Sequence, residues 1–504
     1  MLDKLKHTFK HTLIYSIGNI SLKLIGIVLL PLYTTHLESS EYGAYAILEV
    51  TSMILVSVLS FRLSTAMMRW WAGTKNIYNR KSIVFTSFIS ALTVVLFFNI
   101  LVFPFHKDFS RLFFGTENYN EYFLILFVSV SFEILNFFPM ELLRIKEKSA
   151  LFITITISKT LTVLFLNILL IAYYKLGIKG ILIGQMTGNI LVFVITFPFL
   201  QKNMVNKYNL EELRGMFKYG FPLVFTTIAM MLMNLGDRYI LKYLLGYSEV
   251  GIYTIGYKIA GVINLFILQS FKMGYLPIAY KHYSDDDQAK RFFSKVLTYF
   301  VFIIVIAGLS LSIFSKEIVM LFSKREEYWP AYQIIPLLSM AFALQGIQYV
   351  FSLGLHLVKK TKYNAFIVLS IAILNVGLNF LLIPRYKIMG AAITTVISWI
   401  LMIILFYHFS QREYHVGYEI YKIIKLISLG IVLFLISTFF NDINIILSIL
   451  LKVLIIISFP FVLYLTGFYE KIEIERIKQA WLKWNNPMKW KHNILKMKTF
   501  SKRS

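Results

Sequence analysis

Apolar runs of about twenty residues, each long enough to cross a bilayer as a helix, recur from one end of this chain to the other. Hydrocarbon offers a backbone no hydrogen-bond partner, so each run is read as a transmembrane helix. Fourteen are predicted: 12–32, 43–63, 82–104, 121–140, 150–173, 179–200, 217–236, 249–271, 293–315, 331–354, 363–383, 389–410, 421–440 and 445–466. The fold class is therefore an all-α integral membrane protein, with short connections and no room for an extramembrane domain. Composition agrees, with 15% charged residues against about a quarter in soluble chains. The first run, Thr12 to Tyr33, lacks a small-residue cleavage site and is read as a spanning helix rather than a signal peptide.

Lysine and arginine cluster in alternate loops. One side carries Lys4/Lys6/Lys10, Arg69/Lys75/Arg80/Lys81, Arg144/Lys146/Lys148, Lys202/Lys207/Arg214 and Lys359/Lys360/Lys362, whereas Thr34 to Tyr42 and Asn441 to Asn444 carry none. The net charge of +25 is thus topological and calls for no nucleic-acid partner, and both termini are expected in the cytoplasm. With no cysteine, disulfides and thiolate metal sites are excluded. The absence of a G-x-x-x-x-G-K-[ST] motif excludes an ATPase of its own. No metal or other cofactor is expected. The tail segment Lys471 to Lys498, with Trp481, Trp484 and Trp490, reads either as an interfacial helix on anionic lipid or as an ordinary positive-inside tail.

Three short matches recur about 210 residues apart: Glu41-Tyr-Gly43-Ala-Tyr45 with Glu249-Val-Gly251-Ile-Tyr253, Ser60-Phe61-Arg62 with Ser270-Phe271-Lys272, and Asn167-Ile-Leu-Leu-Ile171 with Asn379-Phe-Leu-Leu-Ile383. This offset equals six spans plus loops. Since six is even, the two halves are expected as parallel repeats with substrate between them. Residues 1–216 form the first six-helix bundle, 217–412 the second, 413–466 two additional helices, and 467–504 a basic cytoplasmic tail. Gly180, Gly184 and Gly188 form a one-turn stripe on span 6, read as close helix packing, with pore lining as the alternative. Span 12 has Gly390, Thr394 and Ser398 at corresponding positions.

A charge at mid-membrane costs roughly 2.5–3.5 kcal/mol on insertion scales, so such residues are functional candidates. They are Lys23 (one turn from Asn19), Glu49, Arg62, Glu133, Lys159, Lys258 and Lys452. Lys23 and Lys258 lie deepest. Arg62 and Lys272 are near enough to the inner face to snorkel, Glu133 and Lys159 could pair, and Lys452 could serve an interface or reach the outer headgroups. Asp237 and Arg238 are placed at the outer rim. On span 8, Tyr253, Tyr257, Gly261 and Asn264 share a face that suits either a sugar-binding wall or plain packing. Tyr219-Gly220-Phe221-Pro222 opens span 7, where Gly220 and Pro222 make a hinge or a static kink.

Gly236-Asp237-Arg238-Tyr239, Val250-Gly251-Ile252-Tyr253 and Lys258-Ile259-Ala260, together with Ile17-Gly18-Asn19, Leu32-Tyr33 and Glu41-Tyr42-Gly43, carry a resemblance. The chain resembles the polysaccharide-export flippases (Wzx or RfbX-like) of the multidrug/oligosaccharidyl-lipid/polysaccharide superfamily over essentially its whole length. The resemblance implies two bundles around a cavity that opens alternately to each side of a bacterial cytoplasmic membrane. It implies a transporter, not an enzyme, that moves an undecaprenyl-pyrophosphate-linked oligosaccharide for O-antigen, capsule or exopolysaccharide. Partners would be that lipid-linked substrate, membrane lipid, and a polysaccharide polymerase and chain-length regulator. A cavity bearing Lys23, Arg62, Lys258 and Arg238 would offset the desolvation of a pyrophosphate, with Asp237 holding Arg238 and with Glu49 and Asp237 placed for ion coupling. Its rivals are a multidrug or cation antiporter, a lipid II flippase, and a polymerase or ligase; the last would need long outer loops that are missing here.

Overall fold

The computed structural model describes residues 25–283, 286–358, 360, 362–441 and 443–484. Among these residues there is no strand. The helices are α1 (Leu30–His36), α2 (Ser39–Leu59), α3 (Leu63–Gly73), α4 (Ile77–Val102), α5 (His106–Phe114), α6 (Asn120–Ile145), α7 (Ser149–Asn167), α8 (Gly177–Lys202), α9 (Leu210–Leu235) and α10 (Asp237–Leu245). They continue as α11 (Tyr247–Ala260), α12 (Gln269–His282), α13 (Asp287–Ile313), α14 (Ser315–Phe322), α15 (Ile335–Leu357), α16 (Lys362–Glu413), α17 (Ile420–Thr438), α18 (Ile445–Leu465) and α19 (Lys471–Trp484).

Among the described residues, twelve helical segments are long and apolar enough to cross a membrane, and a shorter apolar one covers Ile25–His36. The α16 segment holds two of the expected spans, joined at Lys387, whose φ of 50° and ψ of −133° break the helical path. Adding that extra span and the short first helix accounts for the fourteen runs. Five of the spanning helices start at side-chain caps. Glu38 and Glu41 form a reciprocal capping box on α2, and Asn76, Asn209, Asp286 and Asn444 accept from the first free N–H groups of α4, α9, α13 and α18.

Several boundaries differ from the hydropathy reading. Span 2 continues past a break at Phe61 and Arg62, both at positive φ, into α3. Its counterpart, span 8, stays continuous from Tyr247 to His282 through a π-helical stretch at Asn264–Leu268. Span 7 begins at Leu210, so Gly220 and Pro222 lie inside α9 and do not open it. Helix propensity in Leu210-Glu-Glu-Leu-Arg extends the helix beyond its apolar part.

Helix α15 packs chiefly on α16, α13 and α11 of its own half. In α15, 78% of the apolar window is buried inside the protein, against 17% in α18, so α15 is central and α18, the last spanning helix, faces its surroundings. Helices α2 and α11 cross at Gly43 and Gly251. A Cβ on Gly43 would lie 1.8 Å from the Tyr247 carbonyl oxygen, and one on Gly251 would lie 2.0 Å from that of Ser39. Only glycine lets the two backbones touch in this way. The contact is reciprocal, as a two-fold relation between repeats produces. The hydroxyls of Ser39 and Ser248 meet at 2.7 Å beside it. Gly246, at φ 93°, makes the sharp turn that brings α11 into this crossing.

The appended pair α17–α18 packs on α13. Lys452 faces neither headgroups nor lipid. Its side chain is 1% exposed and its ammonium lies 2.5 Å from Glu317 Oε1 of α14, because a lysine that deep in an apolar helix needs a carboxylate brought to it.

Candidate functional site: a polar cavity between the repeats

A cavity of about 650 Å³ lies next to the α2–α11 crossing, lined from α1, α2, α6, α7, α8, α11, α12 and α15, from residues 25–27 before α1 and from residues 261–265 between α11 and α12. Its volume falls in the range of small-molecule sites. Tyr33, Tyr45, Glu49, Glu133, Lys159, Gln185, Asn189, Tyr257, Lys258, Asn264 and Gln269 supply its polar wall.

Lys258 is the centre of the end nearest the crossing. Its ammonium lies 3.2 Å from Glu49 Oε2 and 5.5 Å from the ring centroids of both Tyr42 and Tyr45. Glu49 and Lys258 stand on α2 and α11, so this ion pair joins the two repeats across the cavity. Tyr45 donates to Glu49 at 3.4 Å and accepts from Gln185 at 2.8 Å. Tyr33 donates to the fully buried Asn167 at 3.0 Å. Asn379, which matches Asn167 in the repeat, is also fully buried and donates to Asn375 at 3.0 Å.

The remaining candidates are distributed differently from the sequence expectation. Asp237 and Arg238 are 2% and 3% exposed and do not form an open rim. They pair at 3.0 Å, Tyr253 donates to Asp237, and the guanidinium stacks 4.3 Å from the Tyr257 ring centroid. Helix α10 packs under α16, a cover supplied from far along the chain. Asp237 does hold Arg238, but neither residue lines the cavity. Nor does Arg62, which donates to Thr227 of α9 at 2.7 Å. Lys23 and Asn19 lie outside the described residues.

Of the aromatic stripe on α11, Tyr253 is fully buried, while Tyr257 reaches the cavity and meets Phe342 edge-on at 5.4 Å. Asn264 lines the wall, donating to Gln345 at 2.9 Å and accepting from Gln269 at 3.0 Å. The described lining holds Glu49 and Glu133 against Lys159 and Lys258, so it is balanced in charge and carries no basic excess. Glu133 and Lys159 form no ion pair with each other within 4.0 Å. Lys159 donates to Asn189 Oδ1 at 2.6 Å.

The glycine stripe packs. A Cβ on Gly184 or Gly188 would lie 2.7 Å from Asn167 Nδ2 or 2.6 Å from Val163 Cγ2 of α7. Gly220 presses on the Phe61 carbonyl oxygen at 2.3 Å from a would-be Cβ, so it permits a close approach between α9 and the break after α2. Sequence reasoning missed Tyr33, Tyr45, Gln185, Asn189 and Gln269. Their signal was polar side chains inside apolar runs, but uncharged ones raise no alarm on a hydropathy scale.

Closure at the crossing involves further contacts between the repeats. Thr34 donates to the Phe322 carbonyl at 2.6 Å, Tyr328 to that of Leu37 at 3.0 Å, and Ser39 to Glu327 at 2.7 Å from its hydroxyl and 3.1 Å from its backbone N–H. At the other end, Phe61 packs on Phe217 and Phe221, and Arg69 sits 4.4 Å over the Tyr219 ring.

Comparisons with known proteins agree with this architecture. The chain is 30% identical over 237 residues to the capsular polysaccharide biosynthesis protein CapF of Staphylococcus aureus, an alignment covering 44% of this chain and 58% of CapF. It is 22% identical over 282 residues to the Lsg locus putative protein 1 of Haemophilus influenzae, covering 54% and 66%. The chain thus spans less than two thirds of the length of these curated relatives. Among solved structures, lipid II flippase MurJ in an inward closed conformation superposes with a TM-score of 0.74 at 17% identity, over 91% of this chain and 100% of that one. A point mutant of the MATE transporter VcmN of Vibrio cholerae gives 0.57 at 16% identity, over 81% and 97%. These likenesses show the all-helical fold of MurJ and the MATE transporters. A family model described as "Polysaccharide biosynthesis protein" matches residues 36–329, more than half of the chain, and this multi-pass membrane protein belongs to that family.

Proposed function

We propose that the protein is a flippase for a lipid-linked oligosaccharide, moving undecaprenyl-pyrophosphate-linked repeat units across the cytoplasmic membrane of a bacterium by alternating access. Residues 1–216 and 217–412 act as the two moving bundles, with 413–466 appended and 467–504 as a cytoplasmic tail. One observation carries this reading: a polar cavity lies between the repeats, closed at one end by bare backbone at Gly43 and Gly251 and bridged there by Glu49–Lys258. The distribution of lysine and arginine supports an outer position for that closed end. Membership of the polysaccharide biosynthesis family and the name of the CapF relative support a surface polysaccharide as the destination.

In this reading the pyrophosphate enters from the cytoplasmic side and meets Lys258, with Lys23 as a second cation. Tyr257, Asn264 and Gln269 offer aromatic and amide surface to the sugar. Separating Gly43 from Gly251 then opens the cavity outward. A polymerase and a chain-length regulator would receive the product.

The fold likeness to MurJ favours a second reading, a lipid II flippase. Deletion of the gene separates the two. Loss of surface polysaccharide with accumulation of lipid-linked repeat units, and with normal cell-wall growth, supports polysaccharide export; lysis with intact polysaccharide supports the second reading. Complementation with Lys258→Ala and Lys23→Ala tests the cations. Full polysaccharide from both, at normal protein levels, would refute their role.

A further inference from the structure

The cavity contains a second lysine whose surroundings differ from those of Lys258. Lys159 reaches the cavity from α7, and its aliphatic stem lies over Gly188 of α8, where a Cβ would come within 3.4 Å of Lys159 Cγ. Its ammonium makes one hydrogen bond among the described residues, to Asn189 Oδ1 at 2.6 Å. That oxygen is held in place: Asn189 donates through Nδ2 to the Ser129 carbonyl and hydroxyl, both at 3.1 Å, and accepts from Asn136 on its backbone oxygen at 2.9 Å. An ammonium has three donors, so two remain for a ligand. Among the described residues no carboxylate lies within 4.0 Å of Lys159, whereas Lys258 is already bound to Glu49.

From these contacts we infer that Lys159, positioned by Asn189 and Gly188, is an anion subsite on the first bundle's wall of the cavity, separate from Lys258. A cation in a confined polar site with a neutral partner has an unspent preference for an oxyanion. The subsite takes an oxyanion group of the transported molecule, either a phosphate oxygen or the carboxylate of an acidic sugar. This rests on the reading of the cavity as a site for an anionic lipid-linked saccharide. Glu133, on the same wall, opposes the anion and tunes how tightly it is held.

The test uses the full chain in neutral-lipid nanodiscs, with binding of inorganic pyrophosphate and of digalacturonate measured by thermophoresis and a neutral disaccharide as reference. Lys159→Gln weakens binding of at least one anion about tenfold, the worth of a charged hydrogen bond. Lys159→Arg retains it, and Glu133→Gln tightens it. A loss confined to pyrophosphate assigns the phosphate; a loss confined to digalacturonate assigns the acidic sugar. Equal binding by wild type and Lys159→Gln overturns the subsite alone. If wild type binds neither anion more tightly than the neutral disaccharide, the anionic reading of the cavity falls with it. Should Lys159→Gln fail to fold, Glu133→Gln decides: tighter binding supports the subsite and unchanged binding overturns it.

Discussion

Gly251→Ala tests whether the backbone crossing is the outer closure. The added Cβ would sit 2.0 Å from the Ser39 carbonyl oxygen, where ordinary contact begins near 3.4 Å, a shortfall of about 1.4 Å. The obstacle is backbone, so no side chain can swing aside, and α2 and α11 must part. Overpacking of this kind costs about 1–3 kcal/mol. Parting also breaks the 2.7 Å Ser39–Ser248 hydrogen bond, adding about 1 kcal/mol. The closed form is therefore destabilised by about 2–4 kcal/mol, a shift of one to three powers of ten in the closed-to-open ratio. The native chain has no cysteine, so a single Met53→Cys on the cavity wall reports access without background. Labelling by a membrane-impermeant thiol reagent from outside the cell should be at least about tenfold faster with Gly251→Ala than without it. Gly43→Ala, with its Cβ 1.8 Å from the Tyr247 oxygen, should do the same. If both variants fold and label at the parental rate, the crossing is not the barrier.

Two further outcomes are expected. Glu327 lies outside the spans; burial raises its pKa, but hydrogen bonds from the Ser39 hydroxyl and N–H and the nearby Arg325 outweigh this and hold it below the usual carboxylate value. A depressed folded-state pKa gives stability that is fully present above the unfolded value of about 4.3 and is lost as pH falls through the folded one. Because only the thiolate reacts, outside labelling is compared at each pH with that of a fully exposed cysteine. This ratio should be flat from neutral pH down to about 4.3 and rise below it, and Glu327→Gln should remove that rise, whereas a rise persisting in Glu327→Gln would refute the assignment. Asp237→Asn leaves Arg238 buried without its counter-charge and should cost about 3–5 kcal/mol in unfolding measurements, with most of it recovered in Asp237→Asn/Arg238→Met; an unchanged unfolding midpoint in the single variant would argue against the pair's role.

Spans and the repeated Glu-x-Gly-x-Tyr turn were legible in the sequence because hydropathy and short matches need no tertiary information, whereas the meeting of the two turns at Gly43 and Gly251 was not. The depth of Asp237 and Arg238 was not. A residue at the end of an apolar run reads as a rim residue, and what buries this pair is α16, which starts at Lys362. Counting charges likewise suggested a basic cavity. Glu49 and Glu133 were visible, but only the fold shows that they line the cavity while Arg62 and Arg238 do not. Lys452 posed the same difficulty, since its partner Glu317 is on a short helix 135 residues earlier.

That last pair has a mechanical consequence. The appended hairpin is fastened near one end by Lys452–Glu317 and near the other by Glu419, which binds Lys295 at 2.8 Å and Thr298 at 2.8 Å on α13. A hairpin pinned at two separated points cannot pivot by itself. If the second bundle rocks, α17 and α18 travel with it and enlarge the lipid-facing surface that moves on that flank. In the proposed transport cycle the surrounding bilayer would feel a lopsided stroke.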